Sequence, residues 1–177
     1  MRRSILGAMV LAATGAVAMC GGSDTPTGPS NTGPIVFTAT LSGANENPPI
    51  TGPEANGRGT ATVTMNVPRD GSGNPTGGGT VNFSAQLSGL PAGTPIILGH
   101  IHVGATGVNG GTVVNTGLTA ATPSVLADGT GNLVFNDRSV DAGVAQQIYA
   151  NPAGYYVNFH SQNNASGVVR GQMTRVQ

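Results

Sequence analysis

The chain has 177 residues, seven arginines balancing seven acidic residues, and no lysine. Charged residues make up only 8% of it and its arginines are scattered, so it carries no electrostatic footprint for nucleic acid or an anionic lipid surface. Its single cysteine, Cys20, excludes an intrachain disulfide, so a domain of about 140 residues must be held together by its core alone.

Residues 1–19 read as a secretory signal, with Arg2 and Arg3 as the positive start and an apolar, Ala-rich stretch from Ile5 to about Ala18. That stretch is shorter than the about 20 apolar residues a membrane-spanning helix needs. Val17-Ala18-Met19-Cys20 is similar to a bacterial lipobox, which would lipidate Cys20 and make it the mature N-terminus. Ala16-Val17-Ala18 also fits ordinary signal peptidase, which would release a soluble protein. The lipoprotein reading is preferred because Cys20 is followed by a Gly/Ser/Pro/Thr tether over 20–34, as an anchored domain requires. The expected location is the cell envelope, and the expected membrane contact is the lipid at Cys20 alone. Removing the signal leaves 5 − 7 = −2 formal charges.

A single domain is expected over 35–177. Ile35, Phe37, Ala39 and Leu41 alternate with Val36, Thr38 and Thr40, the period of a half-buried strand. Pro48 and Pro49 then enforce an extended loop that contains Glu46. Ala61, Val63, Met65 and Val67 point inward on the next strand, answered by Val81, Phe83, Ala85 and Leu87. These two form an expected antiparallel hairpin with a glycine-rich, mobile tip over 68–79. A strand over Ile96–Val103 carries His100 and His102, Val113-Val114 forms a short strand, and Gly131–Phe135 another. The one helix is expected to start from Ser139 as N-cap, with Asp141 in its first turn, and to bury Val140, Val144 and Ile148. Asn151-Pro152-Ala153-Gly154 stops it, and strands over Tyr155–His160 and Val168–Val176 close the chain. Short alternating strands, Gly/Pro turns and one short helix predict an all-β, antiparallel sandwich or barrel of Greek-key type.

Four motifs carry a resemblance. Asn45-Glu46-Asn47-Pro48-Pro49, Gly99-His100-Ile101-His102-Val103-Gly104, Tyr156-Val157-Asn158-Phe159-His160 and Gly167-Val168-Val169-Arg170-Gly171-Gln172 stand in the order that resembles the CHRD domain. That module is named after chordin and occurs in bacterial secreted proteins. The resemblance runs from about Ile35 to Met173 and implies a β-rich fold outside the cytoplasm. It implies no defined reaction. One departure is Val168, which stands where the family usually has an acidic residue.

The chemistry-bearing residues are the three histidines. In a strand, side chains at i and i+2 leave the same face, so His100 and His102 can converge on one ligand. His160 supplies a third donor if its strand lies alongside. Neutral imidazoles suit copper and zinc, and three of them leave a coordination position open. The H-x-H strand is similar to the copper strand of copper-zinc superoxide dismutase, but that two-metal site uses more histidines than the three present here. The competing reading makes the histidines buried, hydrogen-bonded packing residues on the face of Ile96 and Leu98.

Glu46 and Arg170 read either as a buried bidentate pair locking the loop to the last strand or, for Glu46, as a ligand or an acceptor for a histidine N–H. Asn158 and Gln172 are expected to satisfy buried backbone groups. Tyr149, Tyr155 and Tyr156 are expected in the core and against the helix. No G-x-S-x-G elbow is present, and Glu46 and Glu54 sit in a Pro/Gly loop with nothing marking a sugar cleft. Function therefore narrows to three readings. The first is a non-catalytic, envelope-anchored binding module with a copper or zinc site and an unidentified surface partner. The second is a metal-free structural or interaction domain, and the third a small copper-dependent redox protein.

Overall fold

A computed structural model describes residues 33–177. The signal over 1–19, Cys20 and nearly all of the tether over 20–34 lie outside the described residues. The strands are β1 (Ile35–Ser42), β2 (Arg58–Asn66), β3 (Gly79–Ser88), β4 (Thr94–Val103), β5 (Thr112–Asn115), β6 (Ser124–Leu126) and β7 (Gly131–Val140). Helix α1 (Ala142–Ala150) follows, and then β8 (Tyr155–Ser161), β9 (Val169–Gln172) and β10 (Thr174–Arg175). All pairings are antiparallel, in the order β5-β4-β8-β9-β1-β2-β3-β7, with β6 on β4 and β10 on β1. The end strands β5 and β7 approach each other, so the sheet curls into a nearly closed, barrel-like body. No helix among the described residues is long and apolar enough to cross a membrane.

The inward faces of the first three strands are those the alternation predicts. Ile35, Phe37, Ala39 and Leu41 pack with Ala61, Val63 and Met65 and with Val81, Phe83, Ala85 and Leu87, all buried in one apolar core. Ile96, Ile101, Val157, Phe159 and Val169 complete it from the other half of the sheet. Phe37, Phe83 and Phe159 are essentially inaccessible, and burying each side chain is worth about 1.5–3 kcal/mol.

Four local expectations change. The tip over 68–79 is tied down: Asp70 accepts from the Ser72 and Asn74 backbone N–H groups, and Arg69 Nε donates to Gly73 O at 2.7 Å. Strand β7 runs on to Val140, because a bulge absorbs Asn136-Asp137 and restores pairing with β3. There Asp137 takes a left-handed φ of 57° and donates its N–H to Asn82 Oδ1. Helix α1 consequently starts at Ala142, with Asp141 rather than Ser139 at its N-cap, and buries Ala145 and Ile148 while Val140 stays in the strand. The expected final strand splits at Met173, whose N–H goes to Tyr155 O while Thr174-Arg175 pair with β1.

One irregularity sets up the site. Ile96 lies opposite Ser161 and Leu98 opposite His160, so β4 carries one extra residue there. That bulge reverses the in-out phase. Ile96 faces the core, and five residues later so does Ile101, while His100 and His102 leave on the opposite face. The histidines therefore do not share the face of Ile96.

Candidate metal centre

The outer face of β4-β8-β9 carries three polar rungs. Leu98 lies opposite His160, His100 opposite Asn158 opposite Arg170, and His102 opposite Tyr156 opposite Gln172. Strand spacing of about 4.8 Å brings these side chains into contact, so motifs 60–70 residues apart in sequence meet by pairing alone. Loops over 43–49, 104–111 and 162–168 cover the face, which is why this polar layer is buried: His100, His160, Asn158, Arg170 and Glu46 are each 7% exposed or less.

The three imidazoles converge. Their candidate ligand atoms all lie within 4.8 Å of one another, which places them within about 2.8 Å of a common point (4.8/√3). Backbone carbonyls decide the tautomers. His102 Nδ1–H donates to Gly110 O at 3.0 Å and His160 Nδ1–H to Ala165 O at 2.9 Å, because a carbonyl can only accept. Both rings therefore present an unprotonated Nε2 to the cluster. His160 Nε2 accepts from His100 Nδ1 at 3.1 Å, and His102 Nε2 is buried without a hydrogen-bond partner. A buried lone pair with no donor calls for an explanation, and a cation shared with the other two rings supplies one. Burial, followed by repulsion from His160 and His102, pushes the His100 imidazole down to about 4, and burial is also the main cause lowering His102 and His160. Neutral rings are the form that binds metal. The donor set thus fits a transition-metal ion.

His102 is held from a second side. Its ring stacks on Tyr156 at 4.9 Å with 6° between planes, and the Arg170 guanidinium lies 3.4 Å from the centre of the Tyr156 ring. Tyr156 is thus a wall of the site rather than a core residue of the apolar kind. Nothing in the alternation pattern separates these two roles, although the pairing of Tyr156 with His102 would have done so.

Arg170 does not pair with Glu46. It donates to Ala105 O at 2.9 Å, Val108 O at 2.8 Å and Asn109 Oδ1 at 3.0 Å, clamping the 104–111 loop whose Gly110 carbonyl orients His102. The loop curls into reach of that guanidinium, and it is its neutral oxygens that take up the donors. Gly110 itself leaves no room for a side chain, since an added Cβ would lie 1.7 Å from Val103 O. Gln172, half-buried, satisfies Gly104 O and Ala153 O through Nε2, the backbone-satisfying role expected of it. Glu46 accepts instead from Asn158 Nδ2, with both carboxylate oxygens at 3.0 Å, and reaches no histidine N–H. Asn158 thus bonds a carboxylate rather than a backbone group, and its Oδ1 is buried without a partner.

Glu54, dismissed in sequence as a loop residue, is 2% exposed and accepts from Ser161 Oγ, Asn163 Nδ2 and Asn164 Nδ2. It fastens the 161–167 turn whose Ala165 carbonyl fixes His160. Glu54→Gln is expected to lower stability by about 1–3 kcal/mol, because one acceptor oxygen becomes a donor facing donors. Urea unfolding monitored by tyrosine fluorescence measures this, and an unchanged midpoint would show that the turn does not need the carboxylate.

The CHRD domain family model matches residues 37–173, a span that includes all three histidines and every clamp described above. No curated protein matches the chain. The chain belongs to the CHRD domain family.

Proposed function

We propose that this chain is an exported, envelope-held binding module that takes up one copper or zinc ion through His100, His102 and His160. The observation that carries this reading is the convergence of three neutral imidazoles, two of them locked by backbone carbonyls into the tautomer that offers Nε2 inward. Held by the protein, a metal would supply Lewis acidity or, for copper, a redox couple. The chain's own residues orient the rings and keep them neutral. Loops 104–111 and 162–168 limit water at the face. Asn158 Nδ2 holds both oxygens of the Glu46 carboxyl group. Retention at the envelope through Cys20 and an unidentified surface partner belong to the same proposal and rest on the signal and tether composition.

The test is metal content by mass spectrometry of the purified chain, prepared without affinity tags or chelators, beside His100→Ala and His102→Ala. Close to one copper or zinc per chain is expected, falling at least tenfold in either variant. A second reading is favoured by the 3.1 Å contact between His100 and His160, which closes that pair without an ion. In that case wild type refuses added copper and zinc, and His102→Ala chiefly destabilises, by about 1–3 kcal/mol.

A further inference from the structure

We propose that the three-histidine cluster is a site for a soft monovalent cation, Cu(I) or its surrogate Ag(I), in preference to a divalent ion. The inference rests on the metal-binding reading above and narrows it by charge. All the donors at the cluster are neutral: three imidazoles, with no thiolate and no carboxylate among them. A bound ion therefore keeps its full charge, two units for Zn(II) or Cu(II) and one for Cu(I). The electrostatic cost of holding an ion away from water grows with the square of its charge, so the divalent ion bears about four times the penalty of the monovalent one. Zinc and divalent copper sites usually offset that cost with an anionic ligand or with water, and a covered face restricts the water.

The surroundings add to the bias. The Arg170 guanidinium is held by two backbone carbonyls and an amide oxygen, all neutral, so no contacting anion cancels its charge. It lies on the Tyr156 ring, and that ring lies on His102, which places a fixed cation one aromatic layer behind a ligand. The Glu46 carboxyl is not among the donors: its oxygens accept from Asn158 Nδ2 and from no histidine. Imidazole is a good donor to Cu(I) and forms stable complexes at low coordination number, so three rings suffice.

The experiment uses the full chain carrying Cys20→Ser, which removes its one thiol as a competing soft ligand and leaves the three histidines as in wild type. It is kept anaerobic, loaded with one equivalent of Zn(II) and titrated with Ag(I). Cu(I) is then tested against a chromophoric Cu(I) chelator. Ag(I) is expected to displace the zinc at one equivalent, and Cu(I) to bind at least 100-fold more tightly than Zn(II). His102→Glu, checked for folding by circular dichroism, places an anion among the donors and is expected to reverse the order. Zinc that stays bound against one equivalent of Ag(I) overturns the inference while leaving metal binding intact. A three-histidine chain that binds neither ion overturns the metal reading itself and this inference with it. Because the competition on the three-histidine chain decides the matter alone, failure of the glutamate variant to fold leaves the test complete.

Discussion

Arg170→Leu is expected to destabilise the domain by about 3–5 kcal/mol and, where the protein still folds, to weaken metal binding tenfold or more. The side chain is 1% exposed and donates to three neutral oxygens, each a charge-assisted bond worth about 1.5–3 kcal/mol. Leucine fills part of the volume but leaves Ala105 O and Val108 O without their donor beneath the loop. It also removes the cation from the Tyr156 face, a contact worth about 1–2 kcal/mol where water is excluded. Loosening the 104–111 loop frees Gly110 O from His102 Nδ1 and so frees the tautomer and ring orientation that a metal requires. Arg170→Lys separates the two effects, since it keeps the charge but cannot span three acceptors, and it should lie between wild type and leucine in urea midpoint. If leucine and wild type unfolded at the same midpoint, the loop would be held by its other ties, Asn47 Nδ2 to Gly107 O and Asn109 Nδ2 to Asn47 O.

Much of this was legible in sequence because strand periodicity is a local property. The inward faces of β1, β2 and β3 follow from alternation over eight to ten residues, and the H-x-H spacing alone puts His100 and His102 on one face. Which face was not legible, because the bulge between Ile96 and Leu98 reverses the phase and no residue type announces it. The approach of His160 depends on β8 lying between β4 and β9, a choice of strand order that alternation does not encode. The partners of Arg170 are illegible for a related reason. Glu46 is its natural partner by charge, but the actual partners are backbone oxygens, which every residue carries and which only the course of the 104–111 loop selects. Glu54 in a Pro/Gly loop reads as solvated in sequence, because its donors Ser161 and Asn163 come from the distant 161–167 turn folded over it. The same three loops that hid these roles are the ones that bury the polar face.

Glu46→Gln is expected to steepen the acid sensitivity of the metal-free domain, and the sign follows from two opposed groups. Burial, only partly offset by Arg170 and by the Asn158 hydrogen bond, pushes the Glu46 carboxyl up from 4.5 to about 7. A carboxyl raised in this way binds its proton more tightly when folded. Its contribution to stability is full below about pH 4.5 and is lost as pH rises through 7. Burial and the neighbouring rings lower His100 from 6.5 to about 4, and the other two imidazoles are lowered as well. Their contribution runs the other way: it is full above about pH 6.5 and is lost as pH falls toward 4. Between about pH 4.5 and 6.5 the two slopes oppose each other, each on the order of 2 kcal/mol for one group once the solvent that still reaches the site is allowed for. Wild type should therefore lose stability only gradually on acidification, with the protonated Glu46 offsetting part of the imidazole loss. Glutamine keeps the shape and the hydrogen-bonding size of the protonated side chain but cannot titrate, so its variant should show the uncompensated imidazole slope. Urea unfolding in chelator at half-unit steps from pH 4 to 7 reads the difference directly. The two curves should diverge by on the order of 2 kcal/mol across that range, with the variant steeper. Parallel curves would mean that Glu46 ionises as freely in the folded chain as in the unfolded one, and that the loop over 43–49 admits more water to its carboxylate than its 7% exposure implies.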